Sequence, residues 1–150
     1  MRIMGVDAGA RRIGVAISDE SRTLAQAHSV IRHASRVTDA AALAALAREN
    51  EVSHIVFGNP LLLSGRTGEQ SRSARRLGDE LARQSGLPVT YWDERLTTAA
   101  ARRLMRDAGV PARRQASLVD SAAAELILQS YLDWLKREQP GELHRDLPGE

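Results

Sequence analysis

The chain has 150 residues, 43% of them hydrophobic and 27% charged, with a net charge of +2, the size and make-up of one ordinary globular domain. Aromatics supply only 3% of it and cysteine none, which argues against base stacking on aromatic platforms and excludes disulfides and thiolate metal sites. No stretch reaches the roughly 20 apolar residues of a membrane-spanning helix and no signal pattern precedes the first apolar run, so the expectation is a cytoplasmic protein with no membrane partner.

Ile3 to Val6 is an apolar run that ends on Asp7, and Gly9 follows before a second run from Ile13 to Ile17. This pattern predicts strand, tight loop, strand, with an acid at the carboxyl end of the first. After the polar turn at Ser18-Asp19-Glu20-Ser21, a mixed run to Ile31 predicts a third strand and an antiparallel meander. Thr38 or Asp39 can cap a helix through Leu43, Leu46 and Ala47, and capping is the simpler role for Asp39. Ile55-Val56-Phe57 suits a buried parallel strand, broken at Pro60. A loop from Leu61 to Gly68 leads to a helix over about Glu69 to Gln84, ended by Gly86 and Pro88. Val89 to Trp92 is the next strand and runs into Asp93-Glu94. Thr97 or Thr98 caps a helix through Ala101, Leu104 and Met105; Gly109-Val110-Pro111 breaks it; Ala112 to Ala116 reads as a basic connector. A last helix is expected from near Ser117 to about Lys136. One domain over 1–136 with a frayed tail over 137–150 accounts for the chain.

Crossover connections make the first strand and the two later ones parallel, so the fold class is α/β, a mixed five-stranded sheet with helices on both faces. Asp7, Asn59 and Glu94 then follow three parallel strands on one sheet edge, where such sheets bind ligands. Asp120 admits two readings. Ser117-Leu118-Val119-Asp120 fits a capping box; yet Asp120 also heads the stripe Ala124, Ile127, Tyr131, Leu135 and could point into the crevice. Carboxylates gathered at a rim repel one another unless a cation lies between them, and oxygen ligands without Cys or suitably spaced His suit Mg²⁺ or Mn²⁺. That chemistry supports phosphodiester hydrolysis. Arg95, Arg102, Arg103, Arg106, Arg113 and Arg114 crowd one stretch, which fits either a solvated helix face or a field for a polyanion. His28, His33, His54 and His144 show no metal-ligand spacing and read as solvated or packing residues.

Asp7-Ala8-Gly9-Ala10-Arg11-Arg12-Ile13-Gly14-Val15-Ala16 resembles the opening motif of the YqgF/RuvX family of ribonuclease-H-like proteins. The likeness continues in Gly58-Asn59-Pro60-Leu61 with Gly65 and Gly68, in Asp93-Glu94-Arg95-Leu96-Thr97-Thr98, and in Val119-Asp120-Ser121-Ala122-Ala123-Ala124. Four blocks in order span roughly Arg2 to Leu135, a combination far more specific than any single block. The resemblance implies a ribonuclease-H-like fold and assigns Asp7, Glu94 and Asp120 to a catalytic, metal-binding acid triad holding Mg²⁺ or Mn²⁺. It implies a nuclease that matures the 5′ end of pre-16S ribosomal RNA, with kinship to Holliday-junction resolvases. Arg12, Asn59, Arg95, Thr97, Arg113 and Arg114 are the matching candidates for nucleic-acid contact. Structured RNA is the expected partner, within ribosomal precursor particles, with branched DNA as the alternative and a monomer or homodimer as the assembly. Two positions depart from the pattern: Asn59 stands where an aliphatic residue is expected, and Ala123 stands where resolvases carry a further acid. A non-catalytic nucleic-acid or ribosome-binding protein is a further alternative. The actin-like ATPase fold, which also opens on Asp-x-Gly, needs a second lobe that 150 residues cannot hold.

Overall fold

Met4 and Val6 alternate with Ile3 and Gly5 so that both faces of the first strand are apolar, which suits a strand covered on both sides. The computed structural model describes residues 1–59, 68–93 and 112–138, with the backbone alone at 59 and 112–121. β1 (Arg2–Ala8) pairs antiparallel with β2 (Arg12–Ser18), and β2 with β3 (Ala25–Arg32). β4 (Val52–Asn59) lies parallel to β1, and β5 (Val89–Asp93) parallel to β4. The strand order is β3-β2-β1-β4-β5, the expected mixed five-stranded sheet.

Helices α1 (Arg36–Glu49) and α2 (Glu69–Ser85) pack on one face, where Leu43, Leu77 and Leu81 meet Met4, Val6, Ile13, Val15, Ile55 and Phe57. Helix α3 (Ala112–Glu138) covers the other face through Ala124, Ile127, Leu128, Tyr131 and Leu132, against Ile3, Ala16 and Val56. Each fully buried leucine or isoleucine contributes about 1.5–3 kcal/mol relative to exposure. α3 rests directly on the backbone of β1: a Cβ at Gly5 would come 2.7 Å from Leu128 Cβ and 3.1 Å from the Ala124 carbonyl. Gln129 ties α3 to the meander, accepting from the Ala25 N–H at 2.8 Å and donating to the Thr23 carbonyl at 3.0 Å. α2 ends as expected at Gly86, whose φ of +73° suits glycine and whose N–H donates to the Ala82 carbonyl.

Two expectations are corrected. The cap of α1 is Ser35, whose hydroxyl accepts from the Thr38 N–H at 3.2 Å. Neither Thr38 nor Asp39 caps it; Asp39 lies inside the first turn and only 1% of it is exposed. Its carboxylate turns back instead, accepting from the Ala34 N–H at 3.0 Å and lying 2.5 Å from His33 Nδ1. The other correction concerns α3, which begins at Ala112. Residues 112–116 are its opening turns rather than a connector, since Ala, Arg and Gln all propagate helix well. Ser117 is therefore inside the helix, and the capping-box account of Asp120 fails. The helix expected through Ala101, Leu104 and Met105, its caps Thr97 and Thr98, and most of the loop from Leu61 lie outside the described residues. So does the expected tail beyond Glu138. Among the described residues, no helix is long and apolar enough to cross a membrane.

Candidate active site

The carboxyl ends of β1, β4 and β5 share one edge of the sheet. Val6 is registered with Phe57, and Phe57 with Tyr91. One residue further, Asp7 stands level with Gly58, itself registered with Trp92. Met4 and Val6 belong to the core under α1 and α2, so alternation turns Asp7, like Ile3 and Gly5, toward α3. Asp7 is only 7% exposed, although it is the last residue but one of its strand. Across the hairpin it is registered with Gly14.

Trp92 faces the same way. Its indole N–H donates to Ser130 Oγ of α3 at 3.2 Å, and its ring meets Tyr131 edge-to-face with centroids 5.3 Å apart. Tyr91 faces the opposite side, where its hydroxyl lies 2.7 Å from the Asp79 carboxylate of α2. Asn59 and Asp93 are registered together at the end of their strands, in the phase of Phe57 and Tyr91.

The direction of α3 follows from two contacts. Tyr131 lies beside His54, whose strand position is registered with Ile3, while Ala124 and Leu128 lie over Gly5. Going back along α3 from Tyr131 therefore climbs β1 toward its carboxyl end. From Gly5 to Asp7 the strand rises about 6.6 Å, and from Ala124 back to Asp120 the helix rises about 6 Å. The two climbs end at nearly the same level. The backbone at Asp120 is thus brought to the edge where Asp7 sits, on the face toward which Asp7 points.

Of the other candidates, Arg12 opens β2 at this edge, registered with Arg32. Arg113 and Arg114 lie in the first turn of α3. Glu94, Arg95 and Thr97 lie outside the described residues. Among the described residues, no group of three or more His, Asp or Glu is placed to hold a metal.

The same edge carries a feature that single-residue reading misses. On the α1–α2 side, a cleft of about 300 Å³ begins at Ala8 and Gly9 and is lined by His33, Arg36, Gln70 and Arg76. Gln70 Nε2 donates to the Ala8 carbonyl at 3.2 Å. Glu69 accepts from Arg72 at 3.0 Å and from Arg76 at 3.3 Å, and these hydrogen bonds, Arg72's first, hold its carboxyl below the usual range. The Asp39–His33 pair was invisible because Asp39 resembles a cap. The one available signal was a His-Ala-Ser run ending at a better cap, Ser35.

A five-stranded sheet of this order, with helices on both faces and an acid ending its central strand, defines the ribonuclease-H-like class to which the junction resolvases belong. Thermus thermophilus RuvC in complex with a Holliday junction superposes with a TM-score of 0.58 at 14% identity, over 92% of this chain and 96% of that one. A fowlpox virus resolvase bound to junction DNA gives a TM-score of 0.57 at 12% identity, over 90% and 99%. The sequence profile of RuvX, described as a Holliday junction resolvase, matches residues 1–134. A protein of Myxococcus xanthus, assigned by name to the pre-16S rRNA nucleases, is 44% identical over 133 residues, 89% of this chain and 88% of its own. One of Symbiobacterium thermophilum with the same name is 45% identical over 89% and 92%. The chain belongs to the RuvX family.

Proposed function

We propose that this protein is a divalent-metal-dependent nuclease that hydrolyses phosphodiester bonds near the 5′ end of the 16S ribosomal RNA precursor. The observation that carries the reading is the placement of Asp7, a carboxylate 7% exposed at the open end of the central strand, turned toward the helix that bears Asp120. Trp92 supports Glu94 as the third member, because it faces α3 and precedes Glu94 by two residues in the sequence, on β5, the parallel strand beyond β4. Three carboxylates and no thiolate in the whole chain form a hard, oxygen-only donor set, which fits Mg²⁺ or Mn²⁺. Such an ion would offset the mutual repulsion of the acids and supply the Lewis acidity that activates water and stabilises a leaving oxygen.

The chain's own residues do the rest. Burial fixes the Asp7 carboxylate on a strand paired on both sides, so the donor is positioned before substrate arrives. Arg12, Arg95, Arg113 and Arg114 neutralise the phosphate backbone, with Asn59 and Thr97 as neutral hydrogen-bonding contacts. The partner is structured RNA in a ribosomal precursor particle, and the compartment the cytoplasm. Cleavage of a precursor RNA by purified protein tests this: Asp7→Asn should lower kcat by roughly 100-fold or more. Wild-type cleavage by that variant, with metal present, would end the mechanism.

The family description favours one second reading, a junction-resolving DNA endonuclease that uses the same acids. Side-by-side digestion of a four-way DNA junction and a precursor RNA separates the two. Paired symmetric nicks need a dimer, so a strictly monomeric protein counts against resolution.

A further inference from the structure

The cleft on the α1–α2 side of the sheet edge has no part in the acid triad, yet it is built from polar and charged groups. Asp39 is 1% exposed, and both its oxygens are used within the fold, Oδ1 by the Ala34 N–H and Oδ2 by His33 Nδ1. A carboxylate can only accept, so Nδ1 carries the proton and Nε2 is the nitrogen left for a ligand. The His33 side chain is 47% exposed and lines the cleft, with its ring direction set by a buried partner. Arg36, beside it, is exposed and makes no close ion pair among the described residues, its charge acting at longer range on Glu80. Glu69 is shared by Arg72 and Arg76, of which Arg76 lines the cleft, so the lining sets Arg36 and Arg76 against Glu69 and the buried Asp39. The first turns of α1 and α2 both open here, each adding the positive end of a helix dipole. Both acids of the lining are already hydrogen-bonded within the fold, which leaves Arg36, His33 Nε2 and the two helix ends to face an anion, and about 300 Å³ admits a single nucleotide rather than a duplex.

Its position says which anion. The cleft starts at Ala8 and Gly9, immediately after Asp7 in the chain. A strand crossing the sheet edge with its scissile phosphate on the α3 side would bring a neighbouring nucleotide to the α1–α2 side. We propose that this cleft is a phosphate-binding subsite for a nucleotide flanking the cleaved bond, with Arg36 and His33 Nε2 as its ligands and Asp39 as the positioning residue. The subsite rests on the nuclease reading, but it can be tested apart from it.

Two measurements do this. In cleavage of a precursor RNA, Arg36→Ala and His33→Ala each raise KM about tenfold with kcat unchanged, and Arg36→Ala lowers the slope of log KM against log salt by about one. Arg48→Ala, at the far end of α1, changes neither. Unaltered KM in both cleft variants overturns the subsite. The second measurement needs no turnover: imidazole ¹H–¹⁵N signals are followed as uridine 5′-monophosphate, inorganic phosphate or a short RNA is added. The His33 signals shift with nucleotide and RNA while those of His28 stay, and Arg36→Ala weakens the response about tenfold. Static His33 signals at saturating RNA overturn the proposal. An equal response to phosphate alone overturns its assignment to a nucleotide of the strand. If wild-type protein cleaves no RNA yet His33 responds to nucleotide, the nuclease reading falls and the binding site stands.

Discussion

Gly5→Ala tests the contact that sets the level of α3 on the sheet. The new Cβ would meet Leu128 Cβ at 2.7 Å and the Ala124 carbonyl at 3.1 Å. Carbon atoms in good contact lie about 3.5–4.0 Å apart, so α3 must move away from β1 by about 1 Å. Neither obstacle is the free end of a flexible side chain, so rotamer change cannot absorb the clash. Overpacking of this kind costs about 1–3 kcal/mol, which in a chain of this length lowers Tm by about 4–8 °C for a 2 kcal/mol loss. Activity should fall further than stability, because α3 also carries Asp120, and a 1 Å misplacement of a reacting group costs about 100-fold. Gly86→Ala is the control: its φ is +73°, so alanine is strained there, but its Cβ would meet nothing within 4 Å. It should cost about 1–2 kcal/mol and leave cleavage intact. Urea unfolding and precursor-RNA cleavage, run on both variants, decide the matter. A Gly5→Ala protein with the wild-type midpoint, or with cleavage as strong as that of Gly86→Ala, would refute the reasoning.

Saturating Mg²⁺ or Mn²⁺ should raise stability by about 2.7 kcal/mol at 100 times Kd, seen as a Tm increase that EDTA reverses and Asp7→Asn abolishes; an equal increase in that variant places the ion elsewhere. Burial lowers the pKa of His54 from 6.5, so the fold favours the neutral ring and its contribution is complete above pH 6.5. That contribution is lost as pH falls below 6.5 toward the folded pKa. Urea midpoints between pH 7.5 and 5.5 should therefore drop more steeply in wild type than in His54→Gln, and parallel curves would exclude His54 as the source. Gly78→Ala should dislodge the Tyr91 hydroxyl, which shares its proton between the Arg75 carbonyl at 3.0 Å and Asp79 at 2.7 Å. The expected loss is about 1–3 kcal/mol, and Tyr91→Phe in the same chain should recover part of it by removing the atom that clashes.

The sheet was legible because its strands are short apolar runs separated by strong turn chemistry, and a crossover between parallel strands leaves little choice of order. Asp7 was legible for the same reason, as the first charge after a buried run. The helix starts were less so. Asp39 has the side chain of a cap, and only the folded chain shows it spent on Ala34 and His33 while Ser35 does the capping. The opening of α3 was hidden by its charge: Arg113 and Arg114 read as a surface connector, although arginine is a good helix former. The stripe Ala124, Ile127, Tyr131 was correctly turned inward, since its period alone fixes its face. The cleft beside Gly9 could not be read at all, because it joins residues from four separate elements.

The seam between Gly5 and α3 has a consequence for how the proposed triad and the fold share free energy. Asp7 belongs to a strand held on both sides, whereas Asp120 belongs to a helix held by packing. An ion bound between them favours the docked helix by its whole difference in affinity for the docked and lifted states. Linkage is reciprocal, so whatever loosens the seam weakens ion affinity by the same factor by which the ion steadies the helix. Amide hydrogens in the first half of α3 should then exchange more slowly as metal is added, and more slowly again when RNA brings its phosphate oxygens. In such a protein metal, substrate and one helix lock together, and the spacing that keeps them in step is set by the absence of a single methyl group.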